Sequence, residues 1–217
     1  MAVITLRGIT KTFKHQTLFT DVDLDVEPAS ITGIVGHNGS GKSVLFKIMC
    51  GFVRPDAGTV NIDPAYTRPG ERYPRDFGII IDRPGYLPGR TGMDNLRQLA
   101  AIRGQIGDAQ ILSLAEELGI AADLGRKVRH YSLGMKQKLA LTQAMMEDQK
   151  VLLLDEPFNG LDADSVAIVR ARLIREREAG KTIIFTSHQR EDMDLLADTV
   201  HRVNRATLER LPGAAAA

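Results

Sequence analysis

Gly36-His37-Asn38-Gly39-Ser40-Gly41-Lys42-Ser43 follows the apolar run Ile31-Thr32-Gly33-Ile34-Val35 directly and continues without a break into Val44-Leu45-Phe46. An apolar strand, a glycine-rich turn and a helix in this order make a phosphate cradle. The glycines let successive backbone N–H groups turn inward on phosphate oxygens, and the helix start adds a favourable field. The spacing Gly36-x4-Gly41-Lys42-Ser43 is the Walker A pattern, in which the lysine reaches the β and γ phosphates and the serine hydroxyl faces Mg²⁺. Gly36, His37, Asn38, Gly39, Ser40, Gly41, Lys42, Ser43 and Val44 are therefore candidate nucleotide-binding residues, with His37 read as a solvated spacer within the loop rather than a catalyst.

Working outward, Phe77 to Ile81, Val151 to Leu154 and Thr182 to Phe185 are short apolar runs like Ile31 to Val35, the pattern of strands buried on both faces of a parallel sheet. Near the start, Val3 to Leu6 and then Val22, Leu24 and Val26 alternate with polar residues that include Asp21, Asp23 and Asp25, which predicts a small antiparallel sheet wet on one face. Helical periodicity covers Ser43 to Cys50, Asp94 to Ile102, Ala109 to Leu118, Met135 to Met146 and Ser165 to Glu178, with Ser132 and Asp164 as caps. Three of these helices fall between two core strands. The expected fold is α/β: a parallel-sheet nucleotide-binding core with an N-terminal antiparallel β subdomain and an inserted helical subdomain. Core and β subdomain span about 1–91 and 147–210, and the helical part about 92–146, all within one domain of 1–217. The tail from Leu211-Pro212-Gly213 into four alanines carries no pattern and is expected to be loosely ordered.

Composition narrows the partners. Hydrophobic residues at 43% and charged residues at 25% are ordinary for a globular domain, which argues against a disordered or fibrous chain. A net charge of +1 without tryptophan supplies neither a basic stripe nor a stacking platform, so nucleic acid is not an expected partner. No apolar run approaches the roughly 20 residues that span a bilayer, and Met1 to Thr10 has no charged leader followed by an apolar block. The lone Cys50, in an apolar helical pattern, reads as core filler in a cytosolic protein.

The second chemical signal is Val151-Leu152-Leu153-Leu154-Asp155-Glu156, an apolar strand ending in two acids, the Walker B pattern. Asp155 is placed to hold the metal through water and Glu156 to polarise an attacking water. Between the two motifs stands Tyr131-Ser132-Leu133-Gly134-Met135-Lys136-Gln137. Ser132 as an N-cap and Gly134 in the first turn present a bare helix start, a further anion site.

Here the chain resembles the ATP-binding cassette (ABC) ATPases. Ser132-Leu133-Gly134-Met135-Lys136 is similar to their signature sequence, at the family's spacing to Walker B, and the resemblance runs from Leu6 to about Asn204. It implies a RecA-like P-loop NTPase with ATP and Mg²⁺ as cofactors. It also implies roles: Phe13 stacks on adenine, Glu156 is the catalytic base and His188, in Thr186-Ser187-His188, senses the γ phosphate. Asn159-Gly160-Leu161-Asp162 resembles the D-loop at the seam of an ATP-sandwich homodimer, in which Ser132, Gly134 and Asp162 face the nucleotide of a second copy. A separate transmembrane permease is the implied partner, which places the chain in the cytoplasm, peripheral on the inner face of the membrane.

One position departs from the family's common pattern. After Phe77-Gly78-Ile79-Ile80-Ile81 stands Asp82 where glutamine is usual, and Asp82 to Leu96 is similar to the bacitracin and lantibiotic resistance branch, which carries an acid there. The resemblance makes Asp82 a third metal residue beside Ser43 and Asp155, adds repulsion toward ATP and implies export. Tyr86 and Leu87 are expected either as exposed docking residues for the permease or as cover for the chain's own core. Two rival readings are a soluble ABC ATPase of the iron–sulfur assembly type and a small-molecule kinase, the latter having no use for Ser132-Leu133-Gly134.

Overall fold

Strands β1 (Ile4–Phe13), β2 (Gln16–Val26) and β3 (Ile31–Val35) open the chain, followed by α1 (Lys42–Met49), β4 (Ala57–Ile62) and β5 (Phe77–Ile80). Helices α2 (Gly92–Arg103), α3 (Asp108–Glu117) and α4 (Leu133–Met145) precede β6 (Val151–Leu154), α5 (Ala163–Glu178) and β7 (Thr182–Thr186). A short α6 (Arg190–Leu196) leads to the closing hairpin β8 (Thr199–Asn204) and β9 (Thr207–Arg210). The computed structural model describes residues 1–13, 16–68, 70–71, 73–82 and 85–212. Of the tail expected to be loose, residues 213–217 lie outside them, as do Arg83 and Pro84, but Leu211 is held: its N–H donates to the Val200 carbonyl at 2.8 Å and its side chain packs on the core.

The large sheet has the order β5-β6-β7-β3-β8-β9, and every pairing but that of β8 with β9 is parallel. Parallel strands end on one edge, so the residues after β3, β5, β6 and β7 emerge side by side, where open α/β sheets bind ligands. The near-continuous burial of β3, β6 and β7 is the pattern read from their apolar runs.

Side-chain alternation assigns the two faces. Leu152, Leu154, Ile183 and Phe185 join a cluster with Leu96, Ile111, Leu114 and Leu139 of the inserted helices. Val151, Leu153 and Ile184 point the other way, into a cluster with Phe46 and Ile48 of α1 and with Leu6, Phe19 and Leu24 of the small sheet. Each fully buried Leu, Ile or Phe side chain contributes roughly 1.5–3 kcal/mol, so both layers are held to the sheet by many such increments. Cys50 is fully buried with them, and burial pushes its thiol up to about 11.

The antiparallel sheet has three strands, β2-β1-β4, with Asp21, Asp23 and Asp25 exposed as the alternation predicts. The pattern reading does not reach β4, β8, β9 or α6. β4 carries only Val60 and Ile62 as large apolar residues, and α6 is a single seven-residue segment too short for a period to emerge. One cap is corrected: Asp162, not Asp164, caps α5, accepting the Ser165 N–H at 2.8 Å, while Asp164 sits in the first turn.

Candidate functional site

The phosphate loop is shaped by its glycines and by what lies beneath them. Gly41, at φ 105°, caps α1 and packs so close to Phe19 of β2 that an added Cβ would lie 2.9 Å from the ring. The small sheet thus braces the loop from below. Lys42 is buried, and its ammonium donates to the Gly36 and His37 carbonyls at 2.8 and 3.3 Å. Among the described residues no carboxylate forms an ion pair with it, so an anion held at the helix start has a ready counter-charge. His37 is exposed, its Nδ1 2.9 Å from the Asn38 carbonyl. Ser40 is buried behind the loop against Gly36.

Across the sheet edge, Asp155 uses both carboxylate oxygens. Ser43 Oγ donates to Oδ2 at 2.5 Å and Thr186 Oγ1 donates to Oδ1 at 2.7 Å. Thr186 in turn accepts the Glu156 N–H at 2.8 Å, tying the ends of β6 and β7 together. Glu156 stands at φ 52°, a left-handed backbone that a non-glycine residue adopts at a cost of about 1–3 kcal/mol, and such strain concentrates at functional sites. His188 Nε2 is 2.9 Å from Glu156 Oε1, an ion-pair distance without hydrogen-bond alignment, and that oxygen is buried. Burial lifts the Glu156 carboxyl above the usual carboxylate range, against the opposing pull of His188 and Lys42. A carboxylate tuned upward is suited to accept a proton.

Phe13, Asn38, Gly39, Gly41, Lys42, Ser43, Val44, Asp155, Glu156 and His188 all line one cavity of about 590 Å³. Phe13 is partly exposed at the end of β1, with the Lys11 ammonium 5.0 Å from its ring centre. Gly36 lines a neighbouring cavity beside Ser187, His188 and Gln189 instead. Ser132, Gly134 and Asp162 do not line the cavity that holds Lys42. Ser132 caps α4 through the Met135 N–H, and Gly134 packs on the Gly160 carbonyl, 2.6 Å from where a Cβ would stand. Gly160 in turn lies under Leu133, and the signature turn and the D-loop form one packed surface.

The pattern reading passes over several residues here. Thr186 reads as an ordinary β-branched strand residue, and nothing local marks it as the link between two strand ends. Gln137 Nε2 donates to the Glu156 and Pro157 carbonyls at 3.3 and 3.0 Å, joining α4 to Walker B. Lys47, Leu18, Gln16 and Val53 also line the cavity.

Asp82 has its carboxylate on Lys47 Nζ at 2.5 Å and lines a second cleft with Asp155 and Glu156. The charge expected to repel ATP therefore has a counter-ion on α1. Of the two readings of Tyr86 the structure fits core cover: it is half-buried against the helical cluster, its hydroxyl donates to the Lys136 carbonyl at 2.9 Å, and burial pushes its pKa upward. Leu87 beside it is exposed. The donor set meets the needs of Mg²⁺, because Ser43 Oγ and the Asp155 carboxylate are hard oxygens converging beside Lys42.

A parallel sheet with a phosphate loop after β3, paired acids after β6 and a histidine after β7 defines a P-loop nucleotide hydrolase. The chain belongs to the ABC transporter family: the profile described as "ABC transporter" matches residues 19–159. It is 35% identical over 207 residues to the uncharacterized ABC transporter ATP-binding protein YybJ of Bacillus subtilis (strain 168), covering 95% of each chain. It is 32% identical over 208 residues to the bacitracin transport ATP-binding protein BcrA of Enterococcus faecalis, covering 91% of this chain and 65% of that one. A solved structure of an ATP-binding subunit of an ABC transporter shares the fold with a TM-score of 0.83 at 23% identity, over 96% of this chain and 90% of that chain. The chain is accordingly an ABC transporter ATP-binding subunit and an ATPase. The soluble assembly reading finds no support among these relatives. No helix among the described residues is long and apolar enough to cross a membrane.

Proposed function

We propose that two copies of this chain clasp two Mg-ATP molecules and drive a separate membrane permease that exports a peptide antibiotic or similar amphiphile. The chain then lies in the cytoplasm, peripheral on the inner face of the membrane. The observation that carries the reading is the shared cavity in which Lys42, Ser43, Asp155, Glu156 and His188 converge. In it Lys42 binds the β and γ phosphates, and Phe13 offers its exposed ring to the adenine. Ser43 and Asp155 would hold Mg²⁺, which supplies neutralisation of the phosphate charge. Glu156, with its raised pKa, takes a proton from the attacking water, and His188 beside it hydrogen-bonds the γ phosphate.

The second copy is supported by the packed surface of Ser132, Gly134 and Gly160, which leaves Leu133 63% exposed. A helix start favours an anion, so the γ phosphate of one copy's nucleotide complements the Ser132 turn of the other, and its loss on hydrolysis reopens the pair. Likeness to the bacitracin transport protein and to a lantibiotic transport ATP-binding protein of Streptococcus pyogenes supports the cargo class. Glu156→Gln is expected to bind ATP, to hydrolyse it about 10²–10⁴-fold more slowly and to accumulate as an ATP-dependent dimer on size-exclusion chromatography with light scattering. A persistent monomer in saturating ATP overturns the reading.

A further inference from the structure

His188 sits on an exposed turn between β7 and α6, and an exposed turn does not by itself hold an imidazole against Glu156. The residue before it is held differently. Ser187 is buried, its hydroxyl donates to Asp192 Oδ2 and accepts the Gln189 N–H at 3.1 Å, so the hydroxyl staples both sides of His188. Asp192 is fully buried, and its other oxygen accepts from Arg170 Nε and Nη2 at 2.9 and 2.6 Å. Arg170 lies on α5, two turns beyond the Asp162 cap, and Nη1 also reaches Glu191 at 3.1 Å. Its guanidinium stands 6.0 Å from the ring centre of Phe158, which follows Glu156-Pro157 and packs edge-on against Phe185 of β7. One buried ion pair therefore touches the loop that carries the glutamate and the loop that carries the histidine.

Resting on the reading of His188 given above, we propose that Asp192, braced by Arg170, is a positioning residue that sets His188 against Glu156 through Ser187. A buried carboxylate would be costly without its paired cation, and with two Arg170 donors on Oδ1 and the Ser187 hydroxyl on Oδ2 it is held in one orientation. That orientation passes to the Ser187 hydroxyl and so to the turn. Among the described residues no hydrogen bond or ion pair joins Lys42, Ser43 or Phe13 to the network, so disturbing it leaves most of the nucleotide's contacts in place and falls mainly on the hydrolytic step.

The test measures steady-state ATP hydrolysis and binding of a fluorescent ATP analogue by the full chain carrying Ser187→Ala, Asp192→Asn or His188→Ala. The two network variants are expected to lower kcat roughly 10- to 100-fold, the cost of a reacting group displaced by about 1 Å, with KM and analogue affinity changed severalfold less than kcat. Wild-type kcat in both, while His188→Ala is inactive, overturns the proposal and leaves the role of His188 standing. An equal loss of binding and turnover assigns the network to folding alone and also overturns it. Wild-type kcat in His188→Ala removes the underlying reading and the inference with it. Should Asp192→Asn fail to fold, Ser187→Ala decides, since it leaves the Arg170–Asp192 pair intact.

Discussion

Around Asp155 both carboxylate oxygens and the neighbouring Glu156 N–H find partners inside one chain, whereas around Ser132 and Gly160 the turns are only capped and packed on each other, with Leu133 exposed. The first region is assembled from the ends of buried parallel strands, and its polar groups hold one another in place before any nucleotide arrives. The second rides on the starts of α4 and α5 and is finished as a surface. On the proposed function, the difference teaches that binding and proton transfer are prepared within a copy, while the trigger for turnover waits on a second one.

The sharpest way to break that division is to damage each half separately. Lys42→Ala is expected to abolish nucleotide binding and with it pairing, measured by analogue titration and light scattering. Gly134→Asp should leave nucleotide binding by a single copy unchanged, yet lose dimerisation and about 10²–10³ in turnover, because it places a carboxylate where the proposed function puts the second copy's γ phosphate and a Cβ against the Gly160 carbonyl. If Gly134→Asp loses nucleotide binding as severely as Lys42→Ala does, the two regions are not separable.

A smaller effect sharpens the core side. Asp82→Asn releases Lys47, which lines the nucleotide cavity, and is expected to raise analogue affinity by about fivefold, the ~1 kcal/mol of a solvent-screened pair, and to alter turnover. Higher salt should erase the gain. Unchanged affinity and turnover at low salt would remove Asp82 from the site altogether.

The smallest effect concerns stability. Burial raises the Glu156 carboxyl above its unfolded value, so its ionised form at neutral pH opposes folding and its protonated form does not. Glu156→Gln should therefore raise the Tm of the free chain at neutral pH, with the gain shrinking as pH falls and Glu156 takes up its proton. A pH-independent gain in thermal scans would contradict this origin of the strain at the core.

Much of this was legible in the chain because the signals are local. A Gly-x4-Gly-Lys-Ser loop, an apolar run ending in Asp155-Glu156 and a capped turn at Ser132 each encode a backbone shape within a few residues, and burial on both faces shows as unbroken apolar runs. β4 and β9 escaped because edge strands bury few side chains, β8 because only Val200 and Val203 of its six residues are buried, and α6 because a seven-residue segment shows no period.

By itself, then, the order of residues determined which residues form the phosphate-loop turn and which strands lie inside, since both follow from short-range geometry and hydrophobicity. Only the tertiary structure decided that Thr186 bridges Asp155 and Glu156, that Lys47 meets Asp82, that Tyr86 turns inward and that Arg170 and Asp192 stand behind His188. These contacts join residues brought together by strand order and helix packing, and a buried charge or hydroxyl takes its partner from whatever the fold sets within reach.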